Sequence, residues 1–323
     1  MRSARLMLAP TVIVCLFSLP AVATAQKVIH FGGNFDSLAR AVNDSNDVVG
    51  TYDRTGNNVP HAFLFSNGKL HDLGTLGGSS SYVYAINSKG DIVGGSFSSG
   101  DATVRAFLYS KGRMHDIGTL FPGDNSFTYA YGINTSGVIV GESIRSDGLY
   151  RAFRYSNGKM HDIGTLGGTL GAANGINESG AIVGASTLPG DHVTHAFVYV
   201  SGVMYDLGTL GGTHSYATAI NSHGHVVGYS DMSDGTQHAF LCFNSQMIDL
   251  GTLNGNGESS FAYSINDHGE IVGSSGNDPF TTSGGKMKSI PKVPSGIAYG
   301  VNNNGLVAGQ LYSSFDGAFV YVP

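Results

Sequence analysis

The sequence predicts an all-β fold, a seven-bladed β-propeller of four-stranded blades closed by its own N-terminal strand, and three observations carry that prediction. A unit containing Ala-Ile-Asn-x-x-Gly-x-Ile-Val-Gly and a later Ala-Phe recurs, with anchor asparagines at Asn43, Asn87, Asn134, Asn177, Asn221, Asn266 and Asn302. Their spacings of 44, 47, 43, 44, 45 and 36 residues give seven copies of blade length. Within each copy, apolar residues alternate in short runs split by turn residues, which is the signal of strands. The chain ends are complementary: the last copy stops after a third strand, and an orphan strand precedes the first copy.

The elements follow in chain order. Arg2 and Arg5, an apolar run over residues 6–19, and Ala23-Thr24-Ala25 read as a signal peptide over residues 1–25, with Gln26 as the first mature residue. The run is too short for a membrane span of about 20 residues. Cys15 follows Ile13 and Val14 rather than a small residue, which argues against lipid attachment. The expected location is therefore secreted or periplasmic, with no membrane insertion after cleavage. Residues 26–323 then form one propeller domain, long enough to bury about three quarters of its unfolded surface.

Residues 28–33 read like the end of the fourth strand in later copies, so they supply the outermost strand of the last blade. The fifth copy shows the pattern, with strands expected over residues 215–221, 225–230, 238–243 and 246–251. Gly90, Gly137, Gly180, Gly224, Gly269 and Gly305 close the first hairpin of their copies, where positive φ is wanted. Asn67-Gly68, Lys111-Gly112, Asn157-Gly158 and Ser201-Gly202 close the last hairpin in the same manner. The chain ends on Ala318-Phe319 and the apolar residues after it, and pairing this strand with residues 28–33 removes a sheet edge at both ends. An open β-solenoid is the alternative, but it would want shorter rungs and capping ends.

Composition narrows the function. Charged residues make up 12% of the chain and the net charge is −6, so there is no clustered positive charge of the kind nucleic-acid binders need. Only Cys242 remains after signal cleavage, which leaves no intrachain disulfide and reads as a core position. The chain reads as a monomer.

Units reading His-Ala-Phe, Met-His-Asp-Ile-Gly-Thr-Leu-Gly-Gly and Ala-Ile-Asn-x-x-Gly-x-Ile-Val-Gly resemble the HAF-type extracellular repeat family of bacteria, over nearly all of residues 26–323. The resemblance implies repeat architecture and export, and it brings no catalytic or binding residues with it. Arg105 and Arg151 depart from the motif by replacing the His, and the sixth copy reads Asp278-Pro279-Phe280.

The innermost strands line the channel, and across all seven Arg40 is the only charged residue, which argues against catalysis there. Asp72, Asp116, Asp162, Asp206 and Asp249 recur at one place, so a shared task is expected: hydrogen bonding to amides of the following Gly-Thr-Leu-Gly-Gly turn. Thr75, Thr119, Thr165, Thr209 and Thr252 read the same way. The 12 histidines are spread over different blades, apart from a local group of His223, His225 and His268, and no metal site is assigned.

The links between second and third strands are long at residues 98–101, 145–148, 189–191 and 231–235, and long loops on a rigid scaffold are where binding usually resides. Asp231 and Asp234 are candidate ligand-binding residues in the last of these. They could lend oxygens to calcium, although the alternating oxygens of an EF-type loop are missing. No other cofactor is expected.

The sixth copy breaks the repeat most. Its long link is cut back, Ser289 replaces the Asp, and Pro291-Lys292-Val293-Pro294 replaces the glycine-rich crossing. A notch in the rim is expected, with Lys286, Lys288 and Lys292 as a basic patch suited to an anionic glycan or partner. The functional expectation is a secreted, non-catalytic binding or scaffold propeller that presents its loop face to a protein or carbohydrate. The alternative is an exported hydrolase or lyase with its site in the long loops.

Overall fold

Seven four-stranded antiparallel sheets stand around a central channel, each made from consecutive strands except the last. The computed structural model describes residues 27–31, 37–53, 56, 59–255, 257–312 and 317–323. The segment expected to be a signal peptide and residues 32–36 lie outside the described residues. Among those described, no helix is long and apolar enough to cross a membrane.

Blade seven shows the expected one-plus-three closure. Its inner strands are Gly296–Val301, Val307–Leu311 and Gly317–Val322, and its outermost is Lys27–Phe31, which pairs antiparallel to Gly317–Val322 from Lys27↔Val322 to Phe31↔Ala318. The fifth copy forms Ser215–Ile220, Val226–Asp231, Gln237–Phe243 and Gln246–Asp249, each within two residues of its expected bounds. Blade one differs at the first hairpin, where Asn46 takes φ 63° in the place other blades give to glycine. Asparagine tolerates this left-handed region better than most residues.

The Ala-Phe pair serves two interfaces at once, because successive strand residues point to opposite faces of the sheet. Ala106, Val93 and Ile117 of blade two pack with Ala130, Ile133, Ile139 and Phe153 of blade three, and the same set recurs between other neighbours. All seven motif phenylalanines, from Phe63 to Phe319, are fully buried. The glycine of Ile-Val-Gly faces the Phe across the ladder, as at Gly50↔Phe63 and Gly273↔Phe280. A Cβ on Gly273 would lie 1.9 Å from the Phe261 carbonyl oxygen and 2.8 Å from the Phe280 ring, so no side chain fits. Cys242 is buried in the same layer beside Phe240 and Met247, and burial pushes its thiol pKa up, away from reactivity.

The anchor asparagines form a closed belt. Each Nδ2 donates to the backbone carbonyl of the next blade's asparagine: Asn43 to Asn87 at 3.2 Å, Asn87 to Asn134 at 3.1 Å, Asn134 to Asn177 at 3.2 Å and Asn177 to Asn221 at 3.0 Å. Asn221 continues to Asn266 at 3.1 Å, Asn266 to Asn302 at 2.9 Å, and Asn302 returns to Asn43 at 2.8 Å. Their Oδ1 atoms accept amides of their own hairpins, as Asn43 does from Ser45 and Asp47. A side chain with a donor on one branch and an acceptor on the other is needed, which is why the position is Asn and not Asp.

The repeated Asp performs the expected task. Asp72, Asp116, Asp162, Asp206 and Asp249 accept the amides of Gly74, Gly118, Gly164, Gly208 and Gly251 at 2.7–2.8 Å. The same carboxylates meet the first residue of the His-Ala-Phe unit: His61 Nδ1 lies 3.0 Å from Asp72 and His195 Nδ1 lies 2.8 Å from Asp206. Arg105 and Arg151 take over that contact with Asp116 and Asp162 at 3.2 and 2.8 Å, so the two departures from the motif keep its interaction.

Candidate functional site

The structure separates the lysines. Lys286 and Lys288 are exposed, two residues apart on the outermost strand Lys286–Ser289, whereas Lys292 sits in the crossing beyond the strand's far end. The link between the second and third strands of blade six is cut back as expected, to Gly276 and Asn277, but the crossing to blade seven is filled. Ile290 and Val293 fill the positions that Leu207 and Leu210 hold in blade five, and both are buried against Ala298, Val307 and Phe319 of blade seven. The crossing lost its aspartate and its glycines but kept its two apolar plugs.

The loop aspartates are engaged within the fold. Asp231 accepts the His214 amide at 3.0 Å and the Gln237 Nε2 at 2.9 Å, while Asp234 accepts the amide and hydroxyl of Thr236 at 2.9 and 2.6 Å. Asp101 and Asp191 likewise accept the amides of Ser79 and Thr169 at 2.7 Å, tying each long loop to the crossing from the previous blade. Asp231 does border a surface cavity of about 520 Å³, with Gly212, Met232 and Ser259 among its walls. Among the described residues no three His, Cys, Asp or Glu side chains converge as metal ligands do. His223 and His225 stack on each other with ring centroids 5.9 Å apart.

The larger cavity, about 610 Å³, is the channel. Its seven principal residues share one structural origin. Every innermost strand carries a bulge, so that Ala39 faces Gly50 and Ala41 faces Val49 while Arg40 is left without a partner on the neighbouring strand. The bulged residues are Arg40, Tyr84, Tyr131, Asn174, Thr218, Tyr263 and Tyr299, and all seven line the cavity. A bulge re-aims a side chain, here out of the layers between blades and toward the axis. The following apolar residues, Val42 and Ile86 to Val301, line both this cavity and a smaller one of about 250 Å³ at the asparagine belt.

Charge counting on the innermost strands overlooked a carboxylate. Glu142, on the second strand Ile139–Ile144, reaches the same cavity and accepts the Tyr131 hydroxyl at 2.6 Å. Burial raises its pKa above the ordinary value of 4.5, and the Tyr131 hydrogen bond opposes that shift. Tyr229 enters from the equivalent position of blade five. The phenols of Tyr84 and Tyr229 are pushed up to about 12, by desolvation first, so they remain hydrogen-bond donors at neutral pH.

Rings on and behind the cavity wall form two arcs of aromatic contacts. Tyr84 packs edge-on to Tyr131 at 4.9 Å, with Tyr129 beside both; on the other side Tyr216, Tyr229, Phe261, Tyr263 and Tyr299 follow one another with centroids 5.0–6.5 Å apart. Arg40 joins the arcs, its guanidinium 4.6 Å from the Tyr299 ring centre and 5.7 Å from that of Tyr84. Opposite, Asn174 and Thr218 are consumed in tying blades together, donating to the carbonyls of Ala217 and Ala262 at 2.8 Å.

The sequence did carry a signal for this site. In the repeated [Ala/Val]-x-[Ala/Gly/Ser]-[Ile/Val]-Asn, the x position is the one that changes chemistry between copies.

Neither a family model nor a curated protein matches the chain. Among solved structures, TolB from Acinetobacter baumannii is similar at 15% identity and a TM-score of 0.47, covering 90% of this chain, which spans 64% of the TolB chain. AofleA from Arthrobotrys oligospora is similar at 9% identity and 0.45, covering 82% of this chain and 89% of its own. The Aleuria aurantia lectin in complex with Fucalpha1-6GlcNAc is similar at 11% identity and 0.37, covering 91% and 97%. At these identities and scores the likeness says nothing of a ligand.

Proposed function

We propose that the protein is an exported, non-catalytic binding propeller that takes a carbohydrate into the channel mouth on its loop face. The observation that carries this reading is the set of bulged residues: the scaffold repeats faithfully, yet the seven side chains it aims at the axis are four tyrosines, an arginine, an asparagine and a threonine. Flat aromatic faces with donors at their tips suit the alternation of C–H and hydroxyl groups on a sugar ring, and the cavity lies within the roughly 300–1,000 Å³ of small-molecule sites. The repeated Asp side chains hold their own turns and the first residue of the His-Ala-Phe unit, and the anchor asparagines join neighbouring blades, so the repeat itself is committed to structure. A glycan array run beside a panel of chromogenic hydrolase substrates tests the reading. Array binding without turnover is expected, and turnover of any panel sugar would overturn it.

One observation favours the enzymatic reading, namely Glu142 with a raised pKa in a cavity, a setting suited to a general acid. A structural carboxyl in the same place has a different signature. Because its folded pKa is raised, the charged form is disfavoured in the native state; stability from this group is full below its ordinary value of 4.5 and is lost as pH rises through the folded value. Glu142→Gln is therefore expected to melt progressively higher than wild type as pH is raised from 4 to 8. Thermal melts across that range check this, and a loss of turnover in the variant would establish the enzyme.

A further inference from the structure

The channel holds a cation that the fold does not neutralise. Arg40 makes no ion pair or hydrogen bond among the described residues, and it is held only by the faces of Tyr84 and Tyr299. Every other arginine described near a carboxylate is spoken for: Arg105, Arg145 and Arg151 pair with Asp116, Asp147 and Asp162. Resting on two aromatic rings leaves the guanidinium's in-plane donors directed away from those rings, and that fork matches the two oxygens of a carboxylate. The hydroxyls of Tyr84, Tyr229 and Tyr299 also find no hydrogen-bond partner among the described residues, so the lining offers several donors and few free acceptors. Such an excess asks for an acceptor-rich ligand. The neighbouring rings ask for a flat, partly apolar body attached to it.

We propose that the channel mouth binds an acidic sugar, a uronic acid unit whose carboxylate is gripped by Arg40 while its ring lies against the tyrosine faces. This rests on the carbohydrate-binding reading above and sharpens it to a charge class. Glu142 does not oppose the anion: it stands two blades from Arg40, its Oε1 already occupied by the Tyr131 hydroxyl, and its free lone pairs suit a sugar hydroxyl donor. On this proposal an anionic ligand is gripped by Arg40 at the axis, where a lower local dielectric strengthens the pair, and not by Lys286, Lys288 and Lys292 on the rim.

The test is calorimetric titration with uronic-acid oligosaccharides and their neutral counterparts, for example cellobiouronic acid against cellobiose. It is run on wild type, Arg40→Met and Arg40→Lys. Tyrosine emission gives an independent readout because the chain has 16 Tyr and no Trp. A charge-assisted pair should make the acidic sugars bind roughly 10- to 100-fold tighter than the neutral ones. Arg40→Met should abolish that preference, and Arg40→Lys, which keeps the charge and loses the fork, should retain part of it and show a steeper decline with salt. Equal affinity for both sugar classes, or an unchanged preference in Arg40→Met, overturns the acidic ligand while leaving carbohydrate binding standing. If neither class binds the wild type, both readings fall. Should Arg40→Met not fold, the Arg40→Lys preference and its salt dependence decide the matter.

Discussion

A chain that begins at Asn34 is expected to melt at least about 10 °C below one that begins at Gln26, and to self-associate. Removing residues 27–31 deletes the outermost strand of blade seven and with it five facing residue pairs, Lys27↔Val322 to Phe31↔Ala318. At about 0.5–1.5 kcal/mol per ladder hydrogen bond, the loss of pairing alone is several kcal/mol. A domain of this size loses roughly 2–4 °C per kcal/mol. The exposed strand, Gly317–Val322, would then offer an open edge whose Ala318, Phe319, Val320 and Tyr321 are all buried in the intact ring. Unpaired apolar edges recruit other strands, so light scattering after size exclusion should show dimers or larger species. A peptide spanning residues 26–33 added in trans should reverse the association and restore part of the melting temperature. An unchanged melt would mean that the strand ornaments the ring and does not close it.

That closure was legible in the sequence because it rests on counting: a last copy with three strands and a first strand with no copy around it. The turns were legible too, since Gly90 or Gly224 at a fixed offset from the anchor asparagine demands positive φ whatever the rest of the chain does. Two things were not fully legible. The repeated asparagine announced that a task existed but not what it was, because its partner is a carbonyl 36 to 47 residues away on the neighbouring blade, or 259 away at the junction. The channel was legible only in part: its lining by the innermost strands was expected, but not which residue each strand aims at the axis. Strict alternation would send every second residue of an innermost strand into the layers between blades, and only the bulge between Ala39 and Ala41 turns Arg40 to the axis. Counting charges on those strands also missed Glu142, which reaches the cavity from the strand behind. In blade six the changed crossing drew attention to Pro291 and Lys292, while Ile290 and Val293 on either side of them preserve the apolar pair.

The belt itself yields the second large effect, and Asn302 is the link to cut because it joins the end of the ring to its beginning. Its Nδ2 donates to the Asn43 carbonyl and to Asn46 Oδ1, both at 2.8 Å, while its Oδ1 accepts the amides of Asn304 and Leu306 at 3.0 and 2.9 Å. The side chain is 3% exposed, so no water replaces what is lost. Asn302→Ala should cost about 3 kcal/mol or more, since buried groups on both sides lose their partners. Asn302→Asp is the more telling variant. It keeps both accepting bonds but sets a carboxylate oxygen against the Asn43 carbonyl, and an uncompensated buried charge costs about 3–5 kcal/mol. Burial and the opposing carbonyl both disfavour the charged form, so the folded pKa of that new carboxyl lies above its unfolded value near 3.9. Stability is then present below that value and lost as pH climbs through the folded one, because the protonated acid can donate to Asn43 as the amide does. Asn302→Asp is therefore expected to approach wild type in urea titrations near pH 4 and to fall away toward pH 8, whereas the Asn302→Ala deficit stays flat. Parallel curves for the two variants would show that volume, and not the donated hydrogen bond, is what the belt requires of asparagine.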